Sequence, residues 1–149
     1  MQSASRSNLG RCLAHWLPWE GGPVSDCPFC VRIEDGEVIE QSTLAVAFSD
    51  AFPISPGHTL VVSRRHEADF FALSDMEQAA LWVVALRARE RIMADHAPTG
   101  FNVAINVGAD AGQAVDHAHL HLVPRYAGDV EDPRGGVRWV IPEHARYWD

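Results

Sequence analysis

The sequence predicts an α+β domain: an antiparallel sheet of about five strands around one long helix, with short helices besides. Three observations carry this. Short β-rich runs recur between turn residues, as in hairpins. One segment of about 22 residues has a helix start signal and a stop. No strand–helix–strand alternation of the kind that builds a parallel sheet is visible. At 149 residues the chain suits one domain with a core of its own.

Residues 1–24 read as an N-terminal tail, 25–128 as the folded domain and 129–149 as a C-terminal extension. In the tail, Trp16, Pro18 and Trp19 suggest docking on the domain rather than a transit peptide. The Asp35-Gly36 turn leads into EVIEQS and LAVAFSD, a predicted hairpin. PISPG (53–57) is a Pro/Gly connection, and HTLVVS (58–63) is the next strand. Ser74-Asp75-Met76-Glu77 fits a capping box, opening a helix that runs to about His96. Met76, Ala80, Val83, Val84 and Arg87 fall near helical spacing, and Pro98-Thr99-Gly100 stops the run. FNVAIN (101–106) and HAHLHLVP (117–124) are strands flanking the loop GADAGQAVD. VRWVIP (137–142) is predicted as a last strand.

Composition narrows the function. A net charge of −8 argues against non-specific binding to nucleic acid or an anionic membrane, since both require a basic surface. No apolar stretch is long enough to span a bilayer. The N-terminus lacks the apolar core of a secretory signal, so the cytoplasm is the expected compartment.

HAHLHL places His117, His119 and His121 at alternate positions. A strand sends alternate side chains to opposite faces, so the three imidazoles line one face while Ala118, Leu120 and Leu122 turn to the core. Chance would give about 0.02 such triplets at this histidine frequency. Two functions compete: chelation of a metal, and covalent catalysis by histidine at a phosphorus centre. The preceding GADAGQ loop favours the second, because glycines, backbone amides and a side-chain amide suit a phosphoryl group.

HAHLHLVPR resembles the defining motif of the histidine triad family. The likeness extends over about residues 27 to 126, through CPFC, AFSD, PISPGHTLVVSRRH, the capped helix, FNVAIN and NVGADAGQ. The resemblance implies the histidine triad fold and a nucleotide hydrolase or transferase. Such an enzyme cuts at an α-phosphate through a nucleotidyl-histidine intermediate. It implies His119 as nucleophile, with His121 meeting the phosphate or bridging oxygen, and Gln113 and Asn106 near the scissile phosphate. Asp50 would hold the ribose hydroxyls, and Phe48 and Ile54 would line the base pocket or belong to the core. Ala114 stands where many members carry a hydroxyl donor. The resemblance also implies a homodimer paired through the long helix and FNVAIN.

Cys27 and Cys30 form a C-x-x-C pair, which binds zinc, runs redox chemistry or does neither. One branch of the family implies the first: a structural zinc held by Cys27, Cys30, His66 and His117. His58 is expected to sit at its strand start for structural reasons. Pro124-Arg125 after the triad resembles the dinucleoside polyphosphate hydrolases, which makes diadenosine polyphosphates one candidate among nucleoside phosphate derivatives. Nucleotidyl transfer or phosphorolysis, phosphoramidase activity, and nucleotide binding with negligible turnover stand as alternatives. The C-terminal extension either closes over the substrate with Arg134, Arg138 and Arg146, or forms a strand and surface turn.

Overall fold

The computed structural model describes residues 26–148. The tail with Trp16, Pro18 and Trp19 lies outside the described residues. A five-stranded antiparallel sheet forms from β1 (Glu40–Gln41), β2 (Ala45–Ser49), β3 (Thr59–Ser63), β4 (Gly100–Ile105) and β5 (His119–Arg125). Its spatial order is β1-β2-β3-β5-β4, so the histidine strand is central. Among the described residues two α-helices accompany it, α1 (Pro28–Glu34) and α2 (Asp75–His96).

Strand alternation divides the core into two layers. On one face Ala45, Ala47, Val61, Leu120 and Leu122 pack with Leu81, Val84, Ala85, Ala88 and Ile92 of α2. On the other, Val46, Phe48, Leu60 and Val62 pack with Cys27, Phe29 and Cys30 at the start of α1. As expected, Ala118, Leu120 and Leu122 are buried. Burial sets the register, because a slip of one residue would turn the triad into the α2 layer. His119 lies opposite Val62 and His121 opposite Leu60 on β3.

Helix α2 starts where the capping box predicts. Ser74 Oγ accepts the Glu77 amide, and the Glu77 carboxylate accepts from the Ser74 amide at 2.8 Å. It ends at His96, with Ala97 in the left-handed region at φ 49°. The buried stripe is not the predicted one throughout. Leu81, Val84, Ala85, Ala88 and Ile92 face the sheet, whereas Met76, Trp82, Val83 and Leu86 are exposed. Apolar residues ring this helix, so periodicity alone did not select the buried face.

Three further differences stand out. CPFC opens α1, which sequence reading passed over; Pro28 occupies the first turn, where its missing N–H costs nothing. Only Glu40 and Gln41 of EVIEQS form a strand, with Ile39 and Ser42 adding backbone bonds to Ala47 and Ala45. The predicted strand VRWVIP is a pair of 3₁₀ turns, Gly136–Val140 and Pro142–His144. Gly135 and Gly136 both take positive φ there, and Arg138 donates to the Ala145 and His144 carbonyls, which curls the segment on itself.

Gly57 shows why the β2–β3 connection needs glycine. Its φ is +83°, and an added Cβ would stand 3.0 Å from His96 and 3.2 Å from Ile92. Glycine thus lets the loop close against the end of α2 and deliver His58 to β3.

Candidate active site and metal centre

The triad spans three different chemical environments, from His117, two residues before β5, to His119 and His121 within it. His119, in the middle, is 5% exposed. Its Nδ1 lies 2.7 Å from the His117 carbonyl, so Nδ1 carries the proton and Nε2 presents a lone pair. Burial pushes its pKa down, against the smaller opposing effects of that carbonyl and Asp50. A buried, neutral imidazole with one fixed tautomer is the form a nucleophile requires. Phe29 of α1 packs edge-on against the ring at 5.1 Å and fixes its plane.

Two residues before the strand, which starts at His119 and not at the expected 117, His117 is fully buried. Its Nε2 donates to the Ser63 carbonyl at 2.7 Å, which leaves Nδ1 as the acceptor. That nitrogen lies 3.5 Å from Cys27 Sγ and 3.6 Å from Cys30 Sγ, and His66 Nδ1 lies 3.4 Å from Cys30 Sγ. A tetrahedral zinc with ordinary bond lengths sets its sulfur and nitrogen ligands about 3.6 Å apart. One donor atom from each of the four residues falls within 4.8 Å of the others. The donor set fits zinc, and the Ser63 carbonyl is the outer partner that orients a ligating histidine. Without a cation, burial and the adjacent Cys27 push the Cys30 thiol up to about 12.

His66 reaches this pocket because its neighbours are tied down. Arg64 donates to the Ser42 carbonyl and to Gln41 Oε1. Arg65 bridges Glu77, at the start of α2, and Glu67.

Beyond the middle, His121 is half-buried and its Nδ1 lies 3.1 Å from His58 Nε2. His58 Nδ1 lies 3.5 Å from Asp50 Oδ2. Sequence reading gave His58 a structural place only; it is in fact the link between Asp50 and His121. Burial first, then His119 and His58, push His121 down to about 4, so it is neutral near pH 7. The only local signal for His58 was its position at a strand start after a Pro/Gly turn. Its partner is 63 residues away.

The remaining expected residues fall as follows. Asp50 Oδ1 accepts the Phe52 amide at 2.8 Å, so it caps its turn while its other oxygen faces His58. Asn106 is half-buried, and the β4–β5 register carries it to the level of His119. Gln113 is buried and braces the loop: it accepts from the Gly108 amide and donates to the Ala68 and Val115 carbonyls. Phe48 belongs to the core, fully buried with the Arg32 guanidinium 4.0 Å over its ring. Ile54 is 77% exposed on the β2–β3 loop. Ala114 is exposed beside Gln113.

A family model described as the HIT domain matches residues 32–128. The chain belongs to the HIT family. An uncharacterized HIT-like protein of Mycoplasma genitalium is 39% identical over 111 residues, covering 72% of this chain and 78% of that one. The AP-4-A phosphorylase of Mycobacterium tuberculosis is 37% identical over 116 residues, covering 76% of this chain and 59% of its own. A Zn-bound histidine triad family protein from Mycobacterium smegmatis matches structurally with a TM-score of 0.67 and 30% identity. That match covers 74% of this HIT protein and 82% of the neighbour. No helix among the described residues is long and apolar enough to cross a membrane.

Arg125 does not stand free for a substrate phosphate. It pairs with both Asp129 oxygens and with Asn102 Oδ1. The arginines of the C-terminal extension are likewise engaged. Arg134 holds Asp132, Arg138 its two carbonyls, and Arg146 stands 6.0 Å over Trp139.

Proposed function

We propose that this HIT protein cleaves a nucleoside phosphate derivative at its α-phosphate, with His119 as the covalent nucleophile. The observation that carries the reading is the His119–His117 carbonyl bond, which fixes Nε2 as a free lone pair in a neutral ring. In the first step Nε2 bonds to the α-phosphorus and the bond to the leaving phosphate oxygen breaks. In the second, water attacks that phosphorus, the N–P bond breaks and the nucleoside monophosphate leaves. His121, neutral and held through His58, takes the proton from the water. Asp50 accepts from the ribose hydroxyls with the carboxylate that faces the site. Asn106 lies beside the phosphate. Gln113 acts through the loop it braces.

Cys27, Cys30, His66 and His117 would hold zinc in a closed, structural site, tying the start of α1 and the segment after β3 to the segment that leads into β5. When bound, the metal supplies rigidity and no open coordination position. The second reading for the acceptor is phosphate in place of water, favoured by the 37% identity to the AP-4-A phosphorylase. The exposed Met76, Trp82, Val83 and Leu86 of α2 and Val103 of β4 support a homodimer across these two elements.

Diadenosine tetraphosphate, with and without inorganic phosphate, tests both readings. Hydrolysis gives AMP and ATP; phosphorolysis gives ADP and ATP. Turnover of dinucleotides or nucleoside phosphoramidates without an adenylyl-His119 adduct in quenched samples would sink the covalent mechanism. Light scattering that gives a monomer mass at micromolar concentration would sink the dimer.

A further inference from the structure

We propose that Asp50, His58 and His121 form a second cation site, selective for zinc-like divalent metals, whose occupancy shuts the nucleotide site. The zinc-type cluster around His117 does not involve these residues. His58 Nε2 and His121 Nδ1 face each other at 3.1 Å, so one proton must lie between two nitrogens that are otherwise both lone-pair donors. A divalent cation can take the place of that proton. Two imidazole nitrogens on one tetrahedral zinc stand about 3.3 Å apart, close to the separation already present. Asp50 supplies the third donor: its Oδ2 stands 3.5 Å from His58 Nδ1, and one donor atom from each of the three residues lies within 4.8 Å of the others.

The chemistry of the donors fixes the class of ion. Two imidazoles and one carboxylate suit zinc, cobalt or nickel, and offer too few oxygens for magnesium or calcium. Three protein ligands leave a coordination position open, unlike the four-ligand thiolate cluster. His58 is buried and Asp50 and His121 are half-buried, so the ion enters from the substrate side. Inhibition rests on the reading above, in which Asp50 takes the ribose and His121 the water or phosphate. A metal on both removes an acceptor and a base together. Metal binding itself does not depend on that reading.

Cobalt titration of the zinc-loaded protein, followed by absorption, tests this. The expected result is about one further equivalent, with ligand-field bands and no thiolate charge-transfer band. Affinity should fall at least tenfold in both Asp50→Asn and His58→Gln, and AMP should compete with the ion. AMP binding measured before cobalt is added reports separately on the nucleotide reading. A charge-transfer band on that added equivalent would place the ion on Cys27 and Cys30 and overturn the site. Unchanged affinity in both variants would also overturn it. Loss of cobalt binding in the variants without competition by AMP would overturn the inhibition.

Discussion

His117, two residues before β5, and His121, within it, are the same residue type, yet they are built for different work. Around His117 every contact is inward: two thiols at the start of α1, a second histidine, a carbonyl on the far nitrogen, and full burial. At the His121 end the partners are a histidine and a carboxylate, and the side chain keeps a solvent-facing edge. The strand supplies only the alternation. What differs is which loop ends meet it: the β3 exit with His66 on one side, the β2 exit and β3 entry with Asp50 and His58 on the other. His119, between them, gains a structural anchor on one side and a titratable partner on the other. An imidazole's role here follows from its neighbours, not from its place in the motif.

The sharpest way to break this comparison is at the middle. His119→Ala should lower turnover by at least about a thousandfold, since it removes the atom that bonds to phosphorus. Nucleoside monophosphate binding should persist, because Asp50, Asn106 and the loop remain. Steady-state assay and calorimetry check the pair of outcomes, and near-normal turnover would place the chemistry elsewhere.

The next effect lies at the buried end. Cys30→Ser, or zinc removal by a strong chelator, should destabilise the fold by at least about 2 kcal/mol, roughly 4–8 °C in Tm. Turnover measured below the melting range should change far less than stability. Elemental analysis showing about one zinc per chain in the parent is the companion result. A Tm indifferent to both changes would make the cluster a pair of reduced thiols.

Much of this contrast was legible in sequence, and for identifiable reasons. The alternation of HAHLHL, the Ser74–Glu77 box and the β-rich runs are local patterns, so the strand, the helix start and the facing of the triad could be read directly. The four residues of the metal cluster came from a resemblance, and the geometry brings those same four together. Helix α1 was passed over because seven residues are too short for a clear 3.6-residue period. VRWVIP looks strand-like by composition, but two glycines at positive φ and the Arg138 side chain override it. His58 and Gln113 illustrate the limit: the partners that define them lie 63 and 45 residues away, and no local pattern records such pairing.

At the open end, the expected effect is tenfold to a hundredfold. Asp50 caps its turn through Oδ1 and faces His58 with Oδ2. Asp50→Asn keeps the turn acceptor and removes the charge; Asp50→Ala removes both. If the carboxylate holds the ribose, both variants should lose discrimination against 2′-deoxy substrates, by the worth of a charged hydrogen bond, about 1.5–3 kcal/mol. A variant pair that still prefers ribonucleotides as strongly as the parent would reduce Asp50 to a turn residue. The measurement is kcat/KM on matched ribo and deoxyribo substrates.

The smallest effect concerns what holds the buried end in place. Glu77 closes the α2 cap and grips Arg65, whose neighbour His66 belongs to the metal cluster. The Arg65 guanidinium first, then the Ser74 amide and hydroxyl, pull the Glu77 carboxyl down from 4.5 to about 2. The folded state therefore binds a proton less readily than the unfolded one. Its contribution to stability is present above about pH 4.5 and fades as the pH falls towards 2. Glu77→Gln keeps the shape of the cap but loses the charge, so at pH 7 it should cost about 1 kcal/mol, a partly exposed pair being screened by water. That is roughly 2–4 °C in Tm. Comparing parent and variant by urea unfolding across pH isolates this carboxylate, since every other titrating group is common to both. The gap between their midpoints should shrink steadily below pH 4.5. A gap that stays constant down to pH 2.5 would mean that the substituted amide fails sterically and that the ion pair contributes nothing.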